Sequence, residues 1–309
     1  MPVAETLPPR IQIVEVGPRD GLQNERGVVS TATKIALIER AVSAGIRRLE
    51  VTSFVNPKRV PQMADAEAVL EGIARHPETQ YVGLVLNARG LERAIAARCT
   101  EIGMAVVASD TFNRKNQGVS TEESVADWLT MAAAAKAAGL RVQVTVSAAF
   151  GCPFEGEVDP GRVVELACRV AEAGPVEVAL ADTIGVAVPS QVRSLVGRVA
   201  AALPGMTLRC HFHNTRNTGF ANAYAALEAG ATVLDASIGG IGGCPFAPAA
   251  TGNIATEDLV YMLNRMGVET GIDLDQLIET SRWLESELGR PVPGALSKAG
   301  VFPKPPVAV

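Results

Sequence analysis

Residues 208–238 read LRCHFHNTRNTGFANAYAALEAGATVLDASI. The run opens with strand character over 208–212 and breaks into the polar sequence His213-Asn214-Thr215-Arg216-Asn217. It resumes as an Ala-rich helical stretch over 219–229. Gly230 supplies the residue type that tolerates the left-handed stop of a helix, and a second apolar run, 233–238, follows. Strand, helix and strand in that order form a parallel unit, because parallel strands need a crossover between them. Side chains alternate between faces along a strand, so His211 and His213 point to the same side. Neutral imidazole is the commonest protein metal ligand, so the pair is a metal-site candidate. Two hydrogen-bonded surface histidines are the alternative for the pair taken alone.

The same pattern extends in both directions. Strands are predicted near 11–16, 48–52, 81–86, 103–108, 142–148 and 176–181, with helical stretches such as 31–44, 64–75, 121–138, 160–173 and 190–202 between them. Gly45, Gly139 and Gly174 end three of these helices as Gly230 ends its own. Eight strands read as apolar on both faces, each followed by a helix, imply a parallel sheet covered by helices. Eight such units close into a (β/α)8 TIM barrel, with an open doubly wound sheet as the alternative. The chain reads as a single catalytic domain, 1–309, with the barrel over about 11–271. The helical stretch near 273–288 and the tail 291–309 read as an additional C-terminal helical cap.

A chain of 309 residues, 48% hydrophobic and 20% charged, can bury a core of that size. A net charge of −5 with no Lys/Arg run argues against a nucleic-acid or membrane-surface partner. No apolar run reaches the ~18 residues of a membrane span. The start MPVAETLPPR lacks an apolar segment and carries Glu5, so it reads as neither secretory nor transit peptide. Five scattered cysteines fit a reducing compartment better than a disulfide framework, and the expected location is cytoplasmic.

In a barrel of this kind chemistry sits at the C-terminal ends of the strands, and the unusual polar residues cluster there. The first strand runs into Arg19, Asp20 and Gln23; the second ends at Glu50 and Ser53. The loop after the fourth holds Asp110, Asn113, Lys115 and Asn116, and the sixth ends at Asp182-Thr183. The eighth opens the loop GGIGGCPFAPAATGN, 239–253, with Cys244 and Asn253. Singly, Asp20 could cap a turn, Arg19 and Glu50 could form a structural ion pair, and Asp182 could cap a helix. Together on one rim they point to a site. The glycines are not GxGxxG, and no acidic residue is placed for a ribose, so a dinucleotide site is not indicated. The loop reads as a lid that would deliver Cys244 to the barrel mouth, since glycine permits the φ changes of closure.

These residues resemble the 3-hydroxy-3-methylglutaryl-CoA lyase family. The resemblance is carried by Val16-Gly17-Pro18-Arg19-Asp20-Gly21-Leu22-Gln23-Asn24-Glu25, Glu50-Val51-Thr52-Ser53-Phe54-Val55, Asp182-Thr183-Ile184-Gly185 and His211-x-His213. Gly240-Ile241-Gly242-Gly243-Cys244-Pro245 and Gly252-Asn253-Ile254-Ala255-Thr256-Glu257-Asp258 extend it, so that it covers about 11–271. Arg19-Asp20 is shared more widely, with isopropylmalate synthase-type condensing enzymes. The resemblance implies that Asp20, His211, His213 and Asn253 ligate a divalent cation, Mg2+ or Mn2+, and that Arg19, Glu50, Asp182 and Cys244 surround the reacting centre. Gln23, Ser53, Thr145 and Asn116 are the expected substrate contacts. The implied reaction is a retro-Claisen cleavage of 3-hydroxy-3-methylglutaryl-CoA to acetyl-CoA and acetoacetate. In it Arg19 stabilises the enolate, Cys244 protonates it, and either Asp182 or a histidine takes the hydroxyl proton.

Some positions depart from the family's pattern. Asn214-Thr215-Arg216-Asn217 stands where Asp-Thr-Tyr-Gly or Asp-Thr-Arg-Gly is usual, Thr145 where tyrosine is common, and Ala179 where serine is common. If both line the acyl pocket, a different 3-hydroxy-3-alkylglutaryl-CoA or related hydroxyacyl-CoA is an alternative substrate. A Claisen-condensing acyltransferase and a non-catalytic binding barrel are the remaining alternatives. The expected partner is an acyl-CoA, with no nucleic acid and no membrane, and the resemblance favours a homodimer or higher homo-oligomer. Asn113–Asn116 and Ser297-Lys298 are candidates for the phosphates of CoA.

Overall fold

The computed structural model describes residues 7–25, 27–243 and 252–303. Strands β1 (Gln12–Glu15), β2 (Arg48–Ser53), β3 (Gln80–Leu84), β4 (Glu101–Val107), β5 (Arg141–Ser147), β6 (Val178–Asp182), β7 (Leu208–Phe212) and β8 (Val233–Ala236) follow one another around a closed barrel. All pairings are parallel, and the ring closes with Gln12 opposite Val233 and Glu15 opposite Ala236. The chain is a TIM barrel, and the open-sheet alternative is excluded.

Helices α1 (Thr31–Ser43), α2 (Ala66–Gly72), α3 (Ala88–Ala96), α4 (Asp110–Gln117), α5 (Thr121–Ala137), α6 (Pro160–Ala171), α7 (Pro189–Ala202), α8 (Gly219–Glu228) and α9 (Thr256–Arg265) connect or follow the strands. Local sequence starts them: Ser30 caps α1 by accepting from Thr33 N, and Ser120 forms a reciprocal capping box with Glu123 at α5. The segment after β4, expected as a loop, is instead α4, capped by Ser109 and stopped by Gly118 at φ 85°. Two further helices follow the barrel, α10 (Leu274–Leu288) and α11 (Leu296–Ala299). The expected cap fills the seam of the helix ring rather than sitting apart from it. Ser43 of α1 donates to Gln276 at 3.2 Å, and Ser281 of α10 donates to Glu257 of α9 at 2.7 Å.

The apolar core lies between sheet and helices, where Leu49, Ile102, Val142 and Phe212 meet residues such as Leu37, Trp128 and Leu166. The inner face of the sheet differs from the apolar face read in the sequence. Arg48 on β2 reaches Glu177, just before β6, at 2.6 Å and pairs with Glu101 on β4. Strands two and six stand on opposite sides of the ring, so that contact crosses the middle of the barrel. Arg209 on β7 joins the same network through Glu177 at 3.0 Å. Apolar residues are there too, among them the small cluster Val14, Val16 and Val233. Burying ions requires pairing, and these charges are paired.

Candidate active site

β1 gives way to a five-residue π-helical turn, Gly17–Gly21, with Pro18 at its start. A Cβ on Gly21 would come within 2.8 Å of Ser237 Oγ and 2.9 Å of Ile241 Cγ1, so glycine lets the turn lie against the end of β8. Seated there, the turn presents Arg19 and Asp20 to a cavity of about 910 Å3 at the C-terminal mouth of the barrel. Arg19 donates to Asp20 Oδ1 through Nη1 at 2.7 Å and to Glu50 Oε2 through Nε at 2.7 Å, with Nη2 on the same Glu50 oxygen. Burial opposes the charge on Asp20, but Arg19 and the two imidazoles outweigh it and hold its carboxyl well below the usual range. Glu50 is also held low, burial being outweighed by Arg19 and Arg209.

Alternation along β7 puts Arg209 and His211 on the inner face, and His213 follows just beyond the strand. The two imidazole rings stand 5.0 Å apart. His213 pairs with Asn253 in an antiparallel bridge, which draws the segment after the glycine loop onto the rim. Asn253 Nδ2 donates to Asp20 Oδ2 at 2.9 Å and to the Ile241 carbonyl at 3.1 Å. Its Oδ1 is buried without a hydrogen-bond partner. Ligand atoms of Asp20, His211 and His213 all lie within 4.8 Å of one another. A carboxylate, two imidazoles and an orphaned amide oxygen fit a divalent cation.

Behind these four side chains stand two residues that the sequence reading missed. Asp235 on β8 accepts from His211 Nδ1 through Oδ2 at 3.0 Å. Burial opposes a charged His211, but Asp235 and Asp20 outweigh it and raise its pKa. Arg209 lies under the site, 3.4 Å from Asp235 Oδ1 and 3.9 Å from Glu50 Oε1. The available signal was a lone aspartate in VLDASI and an arginine in phase with the histidines.

The other expected residues divide. Gln23, Thr145 and Asn116 line the cavity with Arg19, Asp20, Glu50 and both histidines. Ser53 does not: the shift in the β2 register keeps it on the side of Glu50, opposite Leu84, but it is wholly buried and its Oγ accepts from the Val55 N–H at 3.4 Å. Asp182 is also absent from the lining; its two oxygens accept from Val186 N at 2.9 Å and Ala187 N at 3.0 Å. Burial raises its pKa against those two bonds. Ala179, beneath Ala181, is buried away from the lining. Asn113 is buried and spends its amide on Val107 N, Val119 O and Ser120 O, which removes it as a phosphate contact. Ser297 and Lys298 bond to Gly294 O and Val292 O within the C-terminal segment. Cys244 lies outside the described residues; Gly243, just before it, lines the cavity and accepts from Asn24 Nδ2 at 2.7 Å.

Comparison with known proteins agrees with this architecture. The HMGL-like family model matches residues 10–284. The chain is 46% identical over 305 residues to a (R)-citramalyl-CoA lyase of Chloroflexus aurantiacus, covering 95% of this chain and 96% of that protein. It is 44% identical over 294 residues to the mitochondrial hydroxymethylglutaryl-CoA lyase of Mus musculus, covering 95% and 90%. Among solved structures, an HMG-CoA lyase from Acinetobacter baumannii in complex with coenzyme A and 3-methylmalate superposes with a TM-score of 0.92 at 41% identity, over 99% of each chain. With a closed barrel, a family model that matches most of its length and relatives this similar over nearly all of it, the chain belongs to the HMGL-like family and is a carbon–carbon lyase.

Proposed function

We propose that this lyase carries out a retro-Claisen cleavage of a 3-hydroxyacyl-CoA, with 3-hydroxy-3-methylglutaryl-CoA as substrate and acetyl-CoA and acetoacetate as products. The observation that carries the reading is the convergence of Arg19, Glu50, Asp20, His211 and His213 on one cavity. Asp20, His211, His213 and the Asn253 amide oxygen would hold Mg2+ or Mn2+. That cation, when bound, supplies Lewis acidity toward the substrate's oxygens.

In the cleavage the C3 hydroxyl loses its proton, the C2–C3 bond breaks, and its electron pair passes into the thioester enolate. Arg19 is suited to that charge: its guanidinium is fixed by Glu50 and Asp20 before substrate arrives, so it need not reorganise as charge develops. Asp182 already accepts two backbone N–H bonds, and we assign it to holding the turn after β6, which leaves a histidine of the site to receive the hydroxyl proton. Cys244 is proposed as the acid that returns a proton to the enolate carbon, supported by the place of Gly243 on the cavity wall. Lys115 and Asn116 on α4 are candidates for contacting the CoA moiety. The proposal includes a cytoplasmic location and a homodimer or higher homo-oligomer.

The 46% identity to a (R)-citramalyl-CoA lyase favours a second reading, with a substrate one methylene shorter between C3 and the carboxylate. Incubating the protein and Mg2+ or Mn2+ with both thioesters separates the two. Acetoacetate beside acetyl-CoA supports the first reading and pyruvate the second. Release of no acetyl-CoA from either would remove the retro-Claisen assignment.

A further inference from the structure

We propose that Gln143 and Thr145 on β5, oriented by Arg209 beneath them, form a specificity-determining floor that recognises a carboxylate at the far end of the substrate's acyl group. The inference rests on the lyase reading above and specifies its substrate as a hydroxyacyl thioester that ends in an acid.

Arg209 Nη2 donates to Gln143 Oε1 at 2.5 Å and to Thr145 Oγ1 at 3.1 Å. A guanidinium has only donors, so it fixes the polarity of both partners. The oxygen of the Gln143 amide must face Arg209, which turns its NH2 away. The Thr145 hydroxyl accepts from Arg209, which leaves its own proton for another acceptor. Both side chains line the cavity that contains His211 and His213. Among the described residues no protein acceptor takes the Gln143 Nε2 hydrogens or the Thr145 hydroxyl proton. A wholly buried residue that spends its acceptor on the protein and keeps its donors toward a cavity is a site for an acceptor-only group.

The surroundings preserve this arrangement. Gln143 pairs in register with Gly103 on β4, where any Cβ would overlap the amide nitrogen, so the amide lies over bare backbone. Between β5 and β7 the cavity wall on β6 is Ala181, too small to separate the floor from His211. Arg209 itself is not the counter-ion for the ligand. Its charge is balanced by Glu177 at 3.0 Å, Asp235 at 3.4 Å and Glu50 at 3.9 Å, and it is fully buried. Arg209 is therefore a positioning residue, while Gln143 and Thr145 touch the ligand. An apolar group at this place would leave the Gln143 donors dry and unpaired, the circumstance in which a polar site discriminates most strongly.

The test compares 3-hydroxy-3-methylglutaryl-CoA with 3-hydroxy-3-methylpentanoyl-CoA, in which methyl replaces the carboxylate. The protein should favour the acid by at least about 100-fold in kcat/KM. In Gln143→Met and Thr145→Val that ratio should fall about tenfold or more, through a KM that rises for the acid more than kcat falls. Arg209→Lys should lower the ratio as well, since one ammonium cannot hold both oxygens in a fork. An unchanged ratio in both folded β5 variants would overturn the proposal, whether or not Arg209→Lys folds. If the unmodified protein cleaves neither thioester, the lyase reading has failed, and calorimetry with free 3-hydroxy-3-methylglutarate and Mg2+ tests the floor alone. Weaker binding by Gln143→Met then supports it, and equal binding or none to either protein overturns it.

Discussion

His211 Nδ1 stands 3.0 Å from Asp235 Oδ2, which leaves Nε2 as the ring atom for the position shared with Asp20 and His213. The aspartate thus fixes both the tautomer and the plane of an imidazole proposed as a metal ligand. In Asp235→Asn the size is kept and the charge is lost, so the ring keeps a partner but loses basicity. We expect Mn2+ affinity, read by titration calorimetry, to fall by about 10–100-fold, with the fold intact by circular dichroism. Affinity equal to that of the unmodified protein would show that Asp235 serves only Arg209. At this scale Asp20, Asn253 and the histidine pair were legible in the sequence, because polar residues at the ends of apolar runs stand out. Asp235 and Arg209 were not, because each is a single charge inside a short strand whose neighbours are apolar. Ser53 pairs with Leu84 as Glu50 pairs with Val82, so the two share a face, but Ser53 is buried outside the cavity lining.

Glu15 belongs to the scale of elements, since it ties β1 to the end of β8 and the start of α9. Its Oε1 accepts from Gly17 N at 2.8 Å and Ile238 N at 2.9 Å, and its Oε2 accepts from Thr256 Oγ1 at 2.6 Å. Burial pushes its pKa up to about 8 in spite of those bonds, and the nearby Glu257, also buried, is pushed up to about 7. The ordinary value is 4.5, so from about pH 4.5 to 8 the folded protein holds a proton on Glu15 that the unfolded chain has released. Its contribution is full below pH 4.5 and is lost as the pH rises through 8. Glu15→Gln keeps the shape and removes the titration. Its Tm should therefore decline less than that of the unmodified protein between pH 5 and 8, and parallel Tm curves would refute the buried acid. Elements themselves were read well wherever a period was present: 208–212 coincides with β7, and 219–229 overshoots α8 by one residue. The helix α4 escaped because DTFNRKNQ buries only Phe112 and Asn113, and a single apolar anchor has no period to detect.

Across the whole molecule the sequence pointed to closure but not to what fills the ring. Eight strand–helix units are visible as composition; the pairing of Arg48 with Glu101 and Glu177 is not, because those residues lie far apart in the chain and meet only across the barrel. Arg19, Arg48 and Arg209 face Asp20, Glu50, Glu101, Glu177 and Asp235, so carboxylates outnumber guanidiniums along the axis, and a divalent cation at the mouth reduces the excess. Arg48 bonds to Glu101, Glu177 and Gln12 rather than to Asp20, His211 or His213, and its removal separates stability from site chemistry. Arg48→Met leaves Glu101 with only the half-exposed Arg141 at 3.3 Å and Glu177 with only Arg209. Truncating one side of a buried pair costs about 3–5 kcal/mol, so the unfolding free energy extrapolated from denaturant titration should fall by that amount. Adding Glu101→Gln and Glu177→Gln removes the stranded charges, and most of the loss should return if charge burial is its origin. A triple variant no more stable than Arg48→Met would instead assign the cost to lost packing of the arginine stem across the centre of the barrel.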